Sequence, residues 1–328
     1  MREIQIICVN DGSTDGSSAI LEEYVVKDPR IEVHHQENQG GGSARNAAYP
    51  YIRGKYTYFV DPDDWIELDL CQQCWDKAEA TEADMVIFRF TRQHTGYSTR
   101  PDQSPIFDPM FPEVRQSPKE KYNAFSACTA WLRFWRSDFL LSNDIRFAEG
   151  KRPYNDNFAI WKGFVLAKRI SVLNNILYHQ RIRPGSYQYA GDERHFIVVE
   201  VNNEREQWLR ETGHFETYKE FFCARKCVEY YYSYGKLLPS LRPEFLKHIR
   251  QYWTEEDRKF YRTASKELLL NHIRRFCEMI DGGSMAMANY YVALVMYYVT
   301  KAIKMPKRLL VQKIIHRVKG RLGRNGKK

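Results

Sequence analysis

Three aspartates lie within four residues of one another in the segment DPDDW, where Pro62 stiffens the chain. Carboxylates this close repel each other unless a cation neutralises them. Asp61, Asp63 and Asp64 offer the oxygen ligands that Mg²⁺ and Mn²⁺ prefer, and such an ion usually also binds the phosphates of a substrate. The segment therefore predicts a metal site for a phosphorylated substrate, although an Asp-Pro turn that caps a helix beginning near Ile66 explains the same residues equally well.

Two further polar segments, NDGSTDGS at 10–17 and NQGGGSARN at 38–46, have residue types that suit nucleotide binding. Asp11 follows an apolar run and can accept hydrogen bonds from a nucleobase or a ribose hydroxyl. The glycine amides of the second segment can approach a phosphate, and Arg45 adds positive charge. Arg45 stands where a dinucleotide fingerprint needs glycine, and no Gly-Lys-Ser/Thr follows, so neither common phosphate loop is present. Each segment alone is more often a turn before a helix.

Apolar runs precede all three polar segments, and amphipathic stretches follow them. Strands are predicted at 4–9, 31–35, 56–60 and 83–90, and helices at 15–27, 43–52 and 66–80. This alternation predicts an α/β fold with a mostly parallel sheet flanked by helices. Ligands of such sheets bind at the carboxyl ends of the strands, so we expect the three segments to form one composite site. Residues 94–118 are predicted to be a long loop, and the chain is expected to be mainly helical from about residue 190.

The order of these segments resembles family 2 glycosyltransferases, which are inverting, sugar-nucleotide-dependent enzymes with the GT-A fold. The similarity continues into RFAEGKRPYNDNF at 146–158 and ILYHQRIRPGS at 176–186, so that it covers roughly residues 3–186. The resemblance implies a GT-A nucleotide-sugar-binding and catalytic domain at 1–188. Residues 189–328 would be a helical C-terminal region with a basic amphipathic tail.

The resemblance assigns roles on the donor side of the expected site. It implies that Asp11 contacts the base of the sugar nucleotide, beside the small residues Gly12 and Ser13, and that Arg45 lies near the nucleotide pocket. The family's DxD-type element binds the ribose and the divalent metal on the diphosphate, and it matches three residues here: Asp61, Asp63 and Asp64. The implied donor is a nucleotide-diphosphate sugar, expected to be a UDP-sugar, and the implied cofactor is Mn²⁺ or Mg²⁺.

On the acceptor side, the resemblance implies that Asp156 is the base that deprotonates the acceptor hydroxyl. Asn155 stands where the family has glutamate, and a cap for the following helix is the alternative role of Asp156. Arg181 and Arg183 match basic residues near the acceptor, or they are outward charges of an edge strand. Trp131 is predicted to stack on a sugar, with core packing as the alternative.

The chain departs from the family pattern at its beginning, because it starts at what resembles the family's second strand. We expect that the first strand and helix are missing, through a truncated reading, completion of the fold by other means, or degeneration.

Two function hypotheses follow. The first is a hexosyltransferase acting on a glycan or lipid-linked acceptor in surface polysaccharide biosynthesis. The second is a degenerate, non-catalytic nucleotide-sugar-binding or regulatory homologue.

The net charge of +9 is concentrated at the C-terminus. Residues 301–328 contain eleven Lys and Arg and no acid, which leaves a charge of −2 for residues 1–300. Apolar residues at near-helical spacing within 307–322 predict an amphipathic helix at an anionic membrane surface. The near-neutral body and the absence of a nucleic-acid motif argue against nucleic acid as a partner.

Seven irregularly spaced cysteines and no apparent signal peptide favour a cytoplasmic protein, peripheral on the inner face of the membrane.

Overall fold

The computed structural model describes residues 3–94, 97–101, 113–123, 125, 129–182 and 191–282. The chain divides into two compact units, Met1–Tyr252 and Trp253–Lys328, and the second is described only as far as residue 282. The predicted boundary after residue 188 falls in a stretch outside the described residues and stays a prediction. The predicted amphipathic tail also lies outside them.

The first unit is built from alternating strands and helices, which continue into a group of helices. Its strands are β1 (Ile6–Asp11), β2 (Ile31–Gln36), β3 (Tyr56–Tyr58), β4 (Trp65–Ile66), β5 (Met85–His94), β6 (Tyr97–Pro101), β7 (Val114–Arg115), β8 (Arg133–Arg136) and β9 (Ile170–Ile182). Its helices are α1 (Ser17–Lys27), α2 (Gly41–Ala47), α3 (Leu70–Thr81), α4 (Pro118–Asn123), α5 (Ser137–Ser142), α6 (Asn157–Leu166), α7 (Ile197–Glu211), α8 (Phe215–Lys236) and α9 (Arg242–Gln251).

The strands form two sheets. β1 and β2 pair in parallel, and the register places Asp11 opposite Gln36. The larger sheet has the order β3-β8-β5-β9-β4, with β6 beside β5 and β7 beside β9. In that sheet β5 and β9 run parallel, whereas the other pairings are antiparallel.

The α/β class and, as far as it is described, the helical C-terminal region are confirmed, whereas the pairing is mixed and not mostly parallel. Several short strands that the sequence pattern did not predict account for the difference. The helix predicted over 66–80 begins only at Leu70, and Ile66 instead forms β4 with Trp65 and pairs with β9. Strands Tyr97–Pro101 and Val114–Arg115 lie within the predicted loop. Two-residue strands are stabilised by their partners, so no local periodicity reveals them.

The core of the larger sheet lies beneath the DPDDW turn. β5 contributes Val86, Phe88 and Phe90, which pack with Trp131 and Tyr178 in one buried apolar cluster. Helix α3 covers β5 and β9 on this face. The turn at 61–64 is therefore joined to β3 at one end and to β4 at the other, which gives it a rigid base.

The second unit is helical in its described part. It contains α10 (Glu255–Thr263), which begins with a capping box formed by Thr254 and Asp257, and a helical stretch at 271–282. Within the described part of the chain, none of the helices is both long and apolar enough to cross a membrane.

Candidate functional site

Asp11 ends β1 and holds the glycine-rich loop that follows β2. One carboxylate oxygen accepts from the side-chain amide of Gln36 at 2.7 Å and from the backbone amide of Gln39 at 2.8 Å, and the other accepts from the amide of Gly40 at 2.8 Å. Burial opposes ionisation, but these hydrogen bonds outweigh it and lower the pKa of Asp11. Asp11 is therefore an anion that fixes the loop, and its contact with a nucleobase stays a prediction.

Gly12 and Ser13 continue the turn after Asp11. Gly12 has φ of +67°, and a Cβ there would lie 2.7 Å from the backbone nitrogen of Asn38, so only glycine fits without a shift of the loop. The amide of Ser13 donates to Oδ1 of Asn10 at 3.0 Å. Both residues therefore shape the end of β1 beside Asp11, as the sequence predicts.

Helix α2, which carries the SARN residues, packs against the distant segment 147–155. The side chain of Asn46 both donates to and accepts from the backbone of Phe147, each at 2.9 Å. A Cβ on Gly42 would lie 2.0 Å from the carbonyl oxygen of Ala148, so the backbones meet closely here. The second polar segment and the FAEGKRPYND segment therefore form one structural unit, although about 100 residues separate them.

Arg45 connects the aspartate turn to this unit. One guanidinium nitrogen pairs with Oδ1 of Asp61 at 2.6 Å, and another donates to Oδ1 of Asn155 at 3.1 Å. The side chains of Arg45 and Asp61 are 19% and 27% exposed, so solvent reaches the pair but does not dominate it. Arg45 therefore lies between the predicted donor-side acid and the predicted base.

Asp156 directly precedes α6 and is partly buried. Its side chain makes no capping hydrogen bond to the helix, and Oδ2 accepts from the backbone amide of Ala130 at 3.2 Å. Burial, chiefly, raises the pKa of Asp156 to about 6, while Arg45 lowers it and Asp61 raises it. A carboxylate with a pKa this close to neutrality is suited to accept a proton from a substrate.

Asp64 ties the aspartate turn to β9. Its two oxygens accept from the hydroxyl of Tyr178 at 2.5 Å and from the backbone amide of Arg181 at 2.7 Å. Burial raises the pKa of Asp64, and the neighbouring charges of Asp63 and Asp61 add to the effect, against the opposing hydrogen bonds. Both oxygens of Asp64 therefore accept hydrogen bonds from the protein. The sequence alone had suggested a metal ligand and gave no sign of these partners.

The fit of a divalent metal to these carboxylates depends on the substrate. In the part of the chain that the structure describes, no three His, Cys, Asp or Glu side chains converge on one point as a metal cluster. Mg²⁺ is commonly held by one or two carboxylates together with substrate phosphates, and such a site needs no protein cage. Asp63, which is partly exposed, and Asp61 fit this arrangement, whereas Asp64 is committed to Tyr178.

The predicted acceptor-side residues have different environments in the structure. Trp131 is only 4% exposed and stacks on Tyr178 with ring centres 4.4 Å apart, so in this structure it packs in the core, which was the alternative to stacking on a sugar. Arg181 is exposed and lies over the ring of Trp65 at 5.4 Å. Arg183 lies outside the described residues.

Sequence reasoning missed two residues that organise the site. Tyr178 holds Asp64, and Asn46 joins α2 to Phe147. Both lie inside segments that were singled out, LYHQR and SARN, but neither is an acid or a base. A partly buried acid such as Asp64 needs hydrogen-bond donors, but the sequence does not show which residue supplies them, because Tyr178 lies 114 residues away.

The fold is of the GT-A type. A solved structure described as S. aureus TarS 1-349 in complex with UDP-GlcNAc matches 91% of this chain and 83% of its own, with a TM-score of 0.59 and 19% sequence identity. Residues 1–139 match the profile of the family described as Glycosyl transferase family 2, so this part of the chain belongs to that family.

Curated relatives are named as glycosyltransferases. The putative glycosyltransferase EpsH of Bacillus subtilis is 32% identical over 67% of this chain and 64% of its own length. Glycosyltransferase GlyA of Streptococcus pneumoniae is 30% identical over 65% of this chain and 31% of its own length. The chain thus spans less than two thirds of the length of these relatives.

Proposed function

We propose that this protein transfers a sugar, with inversion, from a nucleotide-diphosphate sugar to a hydroxyl of a glycan or lipid-linked acceptor, as a hexosyltransferase in surface polysaccharide biosynthesis. The observation that carries the proposal is the bridge made by Arg45. It places a cation between Asp61 and Asn155, next to a carboxylate, Asp156, whose pKa is about 6. A cation for a leaving diphosphate and a base for an incoming hydroxyl are the two groups that this reaction needs.

On the donor side, we propose that the diphosphate binds at Arg45 and at the carboxylates of Asp61 and Asp63. A UDP-sugar is the expected donor, and the TarS structure that names UDP-GlcNAc as its ligand supports this choice. Mn²⁺ or Mg²⁺ held by Asp61 and Asp63 would screen the negative charge of the leaving diphosphate. Asp11 fixes the loop that leads to Arg45, and we propose that it also contacts the nucleoside.

In the transfer itself, Asp156 takes the proton of the acceptor hydroxyl. The hydroxyl oxygen forms a bond to the anomeric carbon from the face opposite the diphosphate, which leaves with the electron pair of the broken carbon–oxygen bond. The configuration at the anomeric carbon is thereby inverted. The pKa of Asp156 lets the group be mostly ionised at pH 7 and yet basic enough to accept this proton.

The location of the acceptor follows from the tail as a separate proposal. A basic amphipathic helix within 307–322 would hold the enzyme on the inner face of a membrane, where a lipid-linked acceptor would lie. Liposome binding of the full chain and of a chain ending at residue 304 tests this. Equal binding of both to anionic vesicles would refute the proposal.

Calorimetric titration with UDP, with and without Mn²⁺, tests the donor site. Asp63→Ala should weaken the metal-dependent part of the binding, whereas Asp76→Ala, on the exposed face of α3, should behave as the unaltered chain. Asp156→Asn should bind UDP normally and lose the release of UDP from UDP-sugars. Normal UDP binding without any turnover in the unaltered chain would instead favour a non-catalytic homologue, for which the Asn155 departure is the motivating feature.

A further inference from the structure

The turn that carries Asp156 has a backbone conformation that needs support from its surroundings. The amide of Asn157 donates to the carbonyl oxygen of Tyr154 at 3.1 Å, which closes the turn Tyr154–Asn157. Tyr154 has φ of +57°, in the left-handed region that residues other than glycine seldom adopt. Such a conformation persists only where neighbouring groups hold it in place. Arg45 and the amide of Ala130 support the middle of the turn, and groups from the C-terminal helices support its two ends.

Arg205 of α7 reaches this turn from the side of those helices. It is fully buried, and Nη2 donates to the carbonyl oxygen of Asn157 at 3.2 Å. Its guanidinium carbon also lies 5.6 Å from the ring centre of Trp161, one turn further along α6. A single side chain thus contacts the first turn of α6 at two points.

Glu229 of α8 fixes the position of Arg205. One oxygen of Glu229 accepts from Arg205 at 2.8 Å and from the side-chain amide of Asn202 at 3.0 Å, and the other accepts from Arg225 at 2.8 Å. Burial opposes ionisation of Glu229, but the charges of Arg205 and Arg225 and these hydrogen bonds lower its pKa to about 2. Glu229 is therefore ionised throughout the physiological range.

A buried ion pair of this kind is weak evidence for stability alone, because apolar residues of similar volume often stabilise a fold equally well. Its specific effect is to direct a guanidinium group at one carbonyl oxygen. A second contact reaches the same turn from the segment before α7, where Nδ1 of the buried His195 lies 3.1 Å from the hydroxyl of Tyr154. Two contacts from the helical region thus converge on the four residues around Asp156.

We propose that Arg205, held by Glu229, is a positioning residue for Asp156. It keeps the turn Tyr154–Asn157 closed and thereby holds the carboxylate in its partly buried place against the amide of Ala130. This proposal rests on the function proposed above, in which Asp156 is the base. Its consequence is that the helical region takes part in catalysis through the geometry of the base, without touching substrate.

Two variants of Arg205 test the proposal. Arg205→Lys keeps the charge but loses the fork that reaches both Glu229 and α6. Arg205→Met removes the guanidinium group and leaves Glu229 paired with Arg225, and it serves if the lysine variant does not fold. Circular dichroism establishes the fold of each variant. Calorimetry with UDP should show at most slightly weaker binding, because the pair of Arg45 with Asp61 remains, whereas Asn155 moves with the turn.

The main readout is the titration of the Asp156 carboxyl, followed by carbon NMR of protein with labelled aspartate and assigned by its loss in Asp156→Asn. The charged groups that act on Asp156 are Arg45 and Asp61, and both are intact in the Arg205 variants. Loosening of the turn lets water reach the carboxylate, so its pKa should fall from about 6 toward 3.8. Release of UDP from UDP-GlcNAc should slow by about 10- to 100-fold.

Arg210→Lys is the matched control, because Arg210 lies on the same helix and pairs with Glu206 at 2.8 Å. It should leave both the titration of Asp156 and the turnover unchanged. An unchanged titration in both Arg205 variants would overturn the positioning role. Wild-type turnover in Asp156→Asn would instead refute the base itself, so the two failures are distinguishable.

Discussion

Asp156 should destabilise the folded protein at neutral pH, and Asp156→Asn should therefore stabilise it while abolishing transfer. The ordinary pKa of an aspartate, 3.8, is raised to about 6 in the fold. At 1.36 kcal/mol per pKa unit, this difference corresponds to about 3 kcal/mol. Asparagine has a similar shape, keeps an oxygen that can accept from the amide of Ala130, and has no charge to bury.

The sign of the pH dependence follows from the raised pKa. Between about pH 4 and pH 6 the folded chain binds a proton at Asp156 that the unfolded chain has released, so the stabilisation is complete below pH 3.8 and is lost as the pH rises through 6. The free energy of unfolding of Asp156→Asn minus that of the unaltered chain should grow from near zero at pH 4 to about 3 kcal/mol at pH 8.

Urea denaturation at a series of pH values measures this difference, and tryptophan fluorescence reports on the first unit, which contains all the tryptophans except Trp253. Asp144→Asn is a control of opposite sign, because the hydrogen bond from Arg146 lowers the pKa of Asp144. Its difference from the unaltered chain should become less favourable as the pH rises through the lowered pKa of Asp144 toward 3.8, and it should be nearly constant between pH 4 and pH 8. A difference for Asp156→Asn that is the same at pH 4 and pH 8 would refute the raised pKa and, with it, the electrostatic argument for the base.

Further substitutions test the neighbouring contacts. Gly42→Ala should lower the free energy of unfolding by about 1–3 kcal/mol, because its Cβ would meet the carbonyl oxygen of Ala148 at 2.0 Å. Gly16→Ala is the control and should leave the free energy of unfolding unchanged, because nothing lies within 4 Å of its Cβ. Equal effects of the two substitutions would contradict the close packing at Gly42. Asp11→Asn should cost about 1–3 kcal/mol in urea denaturation at pH 7, since an amide cannot accept from both sides of the loop, and the loss should shrink as the pH falls and the carboxyl protonates. Arg45→Gln should weaken UDP binding in calorimetry and move the acidic limb of the pH–rate profile upward, because the charge of Arg45 lowers the pKa of the base; an unmoved limb would count against that coupling.

The alternation of elements before residue 90 could be read from the sequence because each of those elements has its own local pattern. The strands at Ile6–Asp11 and Ile31–Gln36 and the helix at Ser17–Lys27 lie within a few residues of their predicted places. The strands at Trp65–Ile66 and Val114–Arg115 could not be predicted, because two residues carry no period and both depend on pairing with β9. The mixed direction of the sheet comes from these two strands together with β6 and β8, and β8 runs antiparallel to both β3 and β5.

The sequence also identified the residue types of the site, but it did not predict the contacts between them. Arg45 was singled out for phosphate, yet its partner Asn155 lies 110 residues away, and only the fold brings the two together. Trp131 shows the opposite limit, since an aromatic ring suits a sugar face and a core equally well until its burial is known. Motif residues thus identify the chemistry, and packing decides which of them solvent and substrate can reach.

The electrostatic reason for expecting a metal changes once these contacts are known. Three neighbouring carboxylates need positive charge or hydrogen-bond donors, and the fold supplies the guanidinium of Arg45 to Asp61 and the hydroxyl of Tyr178 to Asp64. Their mutual repulsion therefore no longer requires a bound cation in the unliganded protein. Binding of a diphosphate still favours a bound cation, because the negative charge of the diphosphate exceeds the charge of Arg45 alone. If UDP binds equally well with and without Mn²⁺, Arg45 is sufficient, and the carboxylate of Asp63 must act on the sugar or the ribose instead.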